Sequence, residues 1–140
     1  MTRTETYMAP KCREAFYIAS KWENKDNVAR LAAELEKMGH SISHKWFAVE
    51  AAYMQDAPMH ARLDLHGVRD CTTFVALFDA DFSFLNAYVE LGMALALSKK
   101  VFIVGQADKN CLFTRLEEPD AFIERFDGVD SFLAFMRSGN

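Results

Sequence analysis

The chain has 140 residues, enough for one domain around a single core. Hydrophobic residues make up 51% and aromatic residues 13% of it, which excludes a disordered chain. A net charge of −4 with no basic run leaves no electrostatic footprint for nucleic acid or a membrane surface, so neither is expected as a partner.

In chain order, residues 1–13 read as a loose arm, polar through Pro10 and without the apolar core of a signal peptide. Cys12, Cys71 and Cys111 are odd in number and scattered, which suits reduced thiols in a cytoplasmic protein better than a disulfide framework. No run is long and apolar enough to span a bilayer. Ala15 to Ser20 is a compact apolar run and predicts the first strand. A polar turn follows, with Asn24 or Asp26 placed to cap a helix whose inner face is Val28, Leu31, Leu35 and Met38. Gly39 closes that helix. Ser41 to Trp46 alternates and predicts an edge strand half open to water. Phe47 to Asp56 reads as helix or loop, interrupted by Pro58, and Met59 to Asp70 as helical without a consistent apolar spacing.

Thr72 to Phe78 is β-branched and aromatic with no charge, as a strand buried on both faces requires, and Asp79 stands where it stops. A helix beginning near Ser83 follows, with Leu91, Ala94, Leu95 and Leu97 as its buried stripe and Glu90 among them. Lys100 to Gly105 predicts a fourth strand, Phe122 to Phe126 a fifth, and Val129 to Arg137 a last helix with Phe132, Leu133 and Met136 turned inward. This alternation predicts one α/β domain over residues 1–140: a flavodoxin-like three-layer sandwich whose mostly parallel sheet has the order 2-1-3-4-5. Ligands collect at the carboxyl ends of strands, at the switch point between the first and third, so Ser20 and Asp79 are expected to flank one crevice.

Neither G-x-G-x-x-G nor G-x-x-x-x-G-K-[ST] occurs, so no dinucleotide or other cofactor is expected, and G-x-S-x-G is missing too. His40 and His44 share a face of the predicted edge strand but lack a third ligand, so no metal site is assigned. Two acids remain. Asp79 either caps a helix or meets a ligand; Glu90 either points to water or faces a cavity. If they share one hollow, chemistry at an anomeric carbon is within reach, one carboxylate attacking and the other moving the leaving group's proton. Trp22 and Trp46 lie at the same edge, as aromatic walls for a heterocycle or as rim packing.

From Phe16 to Phe135 the chain resembles the nucleoside 2-deoxyribosyltransferases and their nucleotide N-glycosidase relatives. The resemblance rests on Phe16-Tyr-Ile-Ala-Ser-Lys-Trp22, Val75-Ala-Leu-Phe-Asp79-Ala-Asp81, Tyr88-Val-Glu90-Leu-Gly-Met-Ala94 and the strand from Lys99 to Val104. It implies that Glu90 attacks the anomeric carbon and forms a glycosyl-enzyme intermediate. It assigns the proton at the base to Asp79, a hydrogen bond near Glu90 to Tyr17, and packing against the base to Trp22. The family's Gly- or Ser-rich turn ahead of the glutamate helix is replaced by Phe82-Ser-Phe-Leu-Asn-Ala87, which leaves Ser83 and Asn86 for the sugar's 5′ group. Ser20, Lys21 and Asn24 offer donors for a phosphate at the first helix, which favours a nucleotide over a nucleoside, or form an ordinary polar turn. The resemblance also implies a homo-oligomer. Transfer and hydrolysis share the covalent step. A nucleotide-sensing module without turnover, and an interaction domain using Phe82, Phe84 and Leu85, are the competing readings.

Overall fold

The computed structural model describes residues 9, 12–49 and 56–139; most of the expected arm, and residues 50–55 of the ambiguous segment, lie outside them. Five strands form one sheet: β1 (Ala15–Ala19), β2 (Ser41–Ile42), β3 (Thr73–Phe78), β4 (Lys100–Gly105) and β5 (Phe122–Phe126). All neighbours are parallel and the order is β2-β1-β3-β4-β5, the expected flavodoxin-like arrangement. Among the described residues four α-helices cover it: α1 (Lys25–Lys37), α2 (Ala57–Asp70), α3 (Leu85–Ala96) and α4 (Val129–Arg137).

Side chains alternate across each strand, so the buried residues divide into two layers. Phe16, Ile18, Val75, Leu77, Phe102 and Val104 pack with Val28, Leu31 and Leu35 of α1 and Phe132, Leu133 and Met136 of α4. Tyr17, Ala19, Phe74, Ala76, Phe78, Val101 and Ile103 pack with Val68 of α2 and Ala87, Leu91 and Ala94 of α3. β3 is buried at all six positions because it has helices on both faces and strands on both sides.

Three expectations change. The edge strand is two residues long: after Ile42 the chain leaves the sheet, and Trp46–Ala48 forms a 3-10 turn instead. Its short ladder separates His40, which accepts from the Glu14 N–H through Nδ1 at 3.0 Å, from His44. Pro58 does not interrupt a helix; it sits in the first turn of α2, where its missing N–H costs nothing. α3 starts at Leu85, later than expected, and Leu97 lies just past its end, 49% exposed.

Two devices fix the layers, one at the amino edge of the sheet and one at its carboxyl edge. Lys99 Nζ donates to the carbonyls of Arg69 and Cys71 at 2.7 and 2.6 Å, capping the end of α2. Gly105 has φ +105°, and a Cβ there would lie 2.2 Å from the Phe78 carbonyl oxygen, so only glycine lets β4 turn away beside the end of β3.

Candidate active site

α3 buries Ala87, Glu90, Leu91 and Ala94, the spacing of one helical face, and Glu90 is buried among its apolar neighbours at 8% exposure. An ionisable group in such a place needs partners. The first is Tyr17 on β1, whose hydroxyl donates to Glu90 Oε2 at 2.8 Å. The Tyr17 ring is fully buried and stacks on Phe74 of the neighbouring strand, with centroids 5.8 Å apart, so the donor is held by the sheet itself. Burial first, and then the Glu90 charge, push the phenol well above its ordinary range, so it stays a donor.

The second partner is Asp64. α2 places His60, Asp64 and Gly67 at i, i+4 and i+7, one face of the helix, and turns that face toward α3 and the end of β1. A Cβ on Gly67 would stand 2.8 Å from the Tyr17 ring and 2.8 Å from His44 Cβ. The missing side chain therefore lets α2 come down until the Asp64 carboxyl interacts directly with that of Glu90. Burial is the larger cause that raises Glu90, to about 8, and the Asp64 charge adds to it; the Tyr17 hydrogen bond opposes both. Asp64 is also raised, again by burial first, with its bond to Glu90 and the charges of His44 and His60 pulling back. With Glu90 raised to about 8, one proton remains on the pair at neutral pH.

Above them opens a cavity of 230 Å³, lined by Glu90, Asp64 and His60, by Trp22 and Trp46, and by Ser20, Lys21, Ser83, Leu85 and Asn86 among others. Two indoles and two carboxyls thus border one cavity. Trp46 is fixed by its Nε1–H, which donates to the Ile18 carbonyl at 2.7 Å. Trp22 carries Lys25 Nζ over its ring at 5.5 Å. The first turn of α3, whose N-terminus has no side-chain cap, adds Asn86, and Ser83 stands just ahead of it.

The structure thus brings Glu90, Ser20, Trp22, Trp46, Ser83 and Asn86 to one cavity, with Tyr17 beneath it. It does not bring Asp79 there. Asn24 Nδ2 donates to Asp79 Oδ1 at 2.8 Å and draws the exposed acid toward α1, where it borders shallow hollows shared with Asn27, Leu133 and Gly128. The expected pairing of Asp79 with Glu90 across one hollow is replaced by Asp64 and Glu90. Asn24 does not line the cavity either: its two amide hydrogens go to Ser20 Oγ and Asp79, and its oxygen accepts from Asn27, which leaves no donor for a phosphate. Ser20 lines the cavity, but its hydroxyl donates to the Leu77 carbonyl at 2.8 Å. Of the aromatic loop, Phe84 is core, 2% exposed and packed on Phe78 at 4.5 Å, while Leu85 is 74% exposed.

Asp64 and His60 were not singled out in the sequence, and His44 was weighed only as a metal ligand. The signal lay in α2, whose apolar residues follow no helical period because the regular stripe is His60, Asp64 and Gly67. Polar and small residues at that spacing mark a helix facing something other than hydrocarbon.

No protein-family model matches this sequence, and no curated protein does. Among solved structures the chain is similar to the Clostridium botulinum CMP N-glycosidase, BcmB, at 17% identity and a TM-score of 0.57, over 86% of this chain and 96% of that one. A likeness at that identity establishes the shared fold.

Proposed function

We propose that this protein is an enzyme that breaks the N-glycosidic bond of a small nucleoside or nucleotide, with Glu90 as nucleophile and Asp64 as acid. The observation that carries this is the pair of carboxyls, Glu90 held by Tyr17 and interacting with Asp64, in the lining of a cavity that Trp22 and Trp46 also border. In the productive form the shared proton resides on Asp64 and Glu90 is ionised, a state that the Tyr17 hydroxyl favours. Glu90 Oε forms the bond to the anomeric carbon as the carbon–nitrogen bond breaks. The electron pair of that bond stays on the base nitrogen, which takes the Asp64 proton. Water or a second base then attacks the glycosyl ester, with Asp64 accepting the proton it delivers. The base stacks between the indoles, and the sugar's 5′ substituent lies at the uncapped start of α3, beside Ser83 and Asn86, where backbone N–H groups favour an anion such as a phosphate.

Water as the second reactant is hydrolysis; a second base is deoxyribosyl transfer. The name of the structurally similar CMP N-glycosidase favours the first and a nucleotide substrate. Purified protein incubated with nucleoside 5′-monophosphates and 2′-deoxynucleosides, with and without a second free base, separates the outcomes. Free sugar or sugar phosphate means hydrolysis, and base exchange means transfer. Saturable binding of an intact nucleotide with no product would instead make the protein a sensing module and overturn the reading. The resemblance to an oligomeric family also finds support in α3, where Leu85 and Val89 are 74% and 60% exposed beside the cavity mouth. A monomer by light scattering would count against self-association there.

A further inference from the structure

His44 leaves the sheet just after β2 and is clamped beneath α2, its Cβ against the space where Gly67 has no side chain. Its Nε2 is buried and has no hydrogen-bond partner, yet it stands 3.5 Å from Asp64 Oδ1. That is ion-pair reach without an aligned hydrogen bond, and an orphaned buried nitrogen is costly to keep. The groups around the contact are Tyr17 from β1, Glu90 from α3, and His60 and Asp64 from α2. His44 lies outside the residues lining the cavity, whereas Asp64 lines it. The imidazole therefore meets Asp64 from behind, away from any ligand.

We propose that His44 is a positioning residue for Asp64: it carries its proton on Nε2, donates to Asp64 Oδ1, and leaves the other carboxyl oxygen to hold the proton that the departing base receives. A lone pair on Nε2 would face carboxylate oxygen and repel it, whereas Nε2–H stabilises the aspartate formed as that proton leaves. No bond to His44 forms or breaks. The hydrogen bond shortens as negative charge develops on Asp64, so it contributes more in the transition state than in the ground state.

The inference deepens the reading of Asp64 as the acid, and two measurements separate failure of one from failure of the other. Nitrogen-15 NMR of the histidine rings in the intact protein needs no substrate. It is expected to show the Nε2–H tautomer for His44, with ring shifts that move in Asp64→Asn; the Nδ1–H tautomer, or shifts indifferent to that substitution, overturns the proposal whatever the activity. Kinetics supply the second test. His44→Leu should lower kcat about tenfold with KM little changed, a fraction of what a general acid supplies. His44→Gln, whose amide nitrogen reaches the place of Nε2, should recover most of it. A glycosyl fluoride, whose leaving group departs as an anion, should be cleaved equally well by all three proteins. An equal loss on the fluoride, or no rescue by glutamine, would reduce His44 to a packing residue.

Discussion

The two faces of the sheet are built from the same strands and serve different ends. On the α1 and α4 side the packed cluster is hydrocarbon, and Phe102, Phe126, Phe132 and Phe135 meet edge-on or tilted with centroids 5.0–5.8 Å apart. On the α2 and α3 side the same kind of packing is interrupted by a phenol, two carboxyls and an imidazole. Residues one apart on β1 show the contrast: Phe16 and Ile18 face the first layer, and Tyr17, between them, faces the second. One face supplies the stability that lets the other hold buried ionisable groups at a cost.

That division predicts that function and stability can be damaged separately. Glu90→Gln should abolish turnover, by at least about 10³-fold, while the protein stays folded, because a neutral isostere cannot form the glycosyl ester. Substantial activity in that variant, measured as base release, would end the nucleophile assignment. Asp64→Asn should slow release by about 10²-fold or more for ordinary bases, the usual contribution of a general acid, whereas Asp79→Asn should change the rate little. The reverse ranking would restore Asp79 as the proton carrier. On the other face, Phe102→Ala should cost about 3–5 kcal/mol in denaturant unfolding through the cavity it leaves, with the rate per folded molecule unchanged. A loss of rate there would show that the faces are coupled. Tyr17→Phe keeps the ring and removes only the donor, for a loss of about tenfold, the order of one hydrogen bond to a charged group.

The smallest effect concerns pH. Glu90 titrates near 4.5 when unfolded and at about 8 when folded, so the folded chain keeps a proton that the unfolded chain has released. Stability from this group is therefore fully present below about 4.5 and lost as pH rises to about 8. The melting temperature should fall across that window in the wild type and fall less in Glu90→Gln. Base release should decline above about pH 8, where the pair loses its shared proton.

Most of the fold was legible because it is written in periods. β3 and β4 are uninterrupted apolar runs, and α1 and α4 show one apolar stripe each. β2 was not, since two residues carry no period and alternation through Trp46 mimicked a longer strand. Glu90 was legible as an acid inside an apolar helical face. Asp79 drew attention by standing at a strand end, but the direction of its side chain is set by Asn24, 55 positions away in sequence. Asp64 was hidden because it reaches the site from the middle of a helix, and nothing local announces which neighbour that helix will lean on.

Gly67 is where that leaning is decided. Any methyl group there would act as a shim between helix and sheet, lifting Asp64 off Glu90 and freeing the two acids to ionise independently. A residue outside the cavity lining thus governs the gap between the two carboxyls, and Gly67→Ala offers a way to widen it without altering either acid.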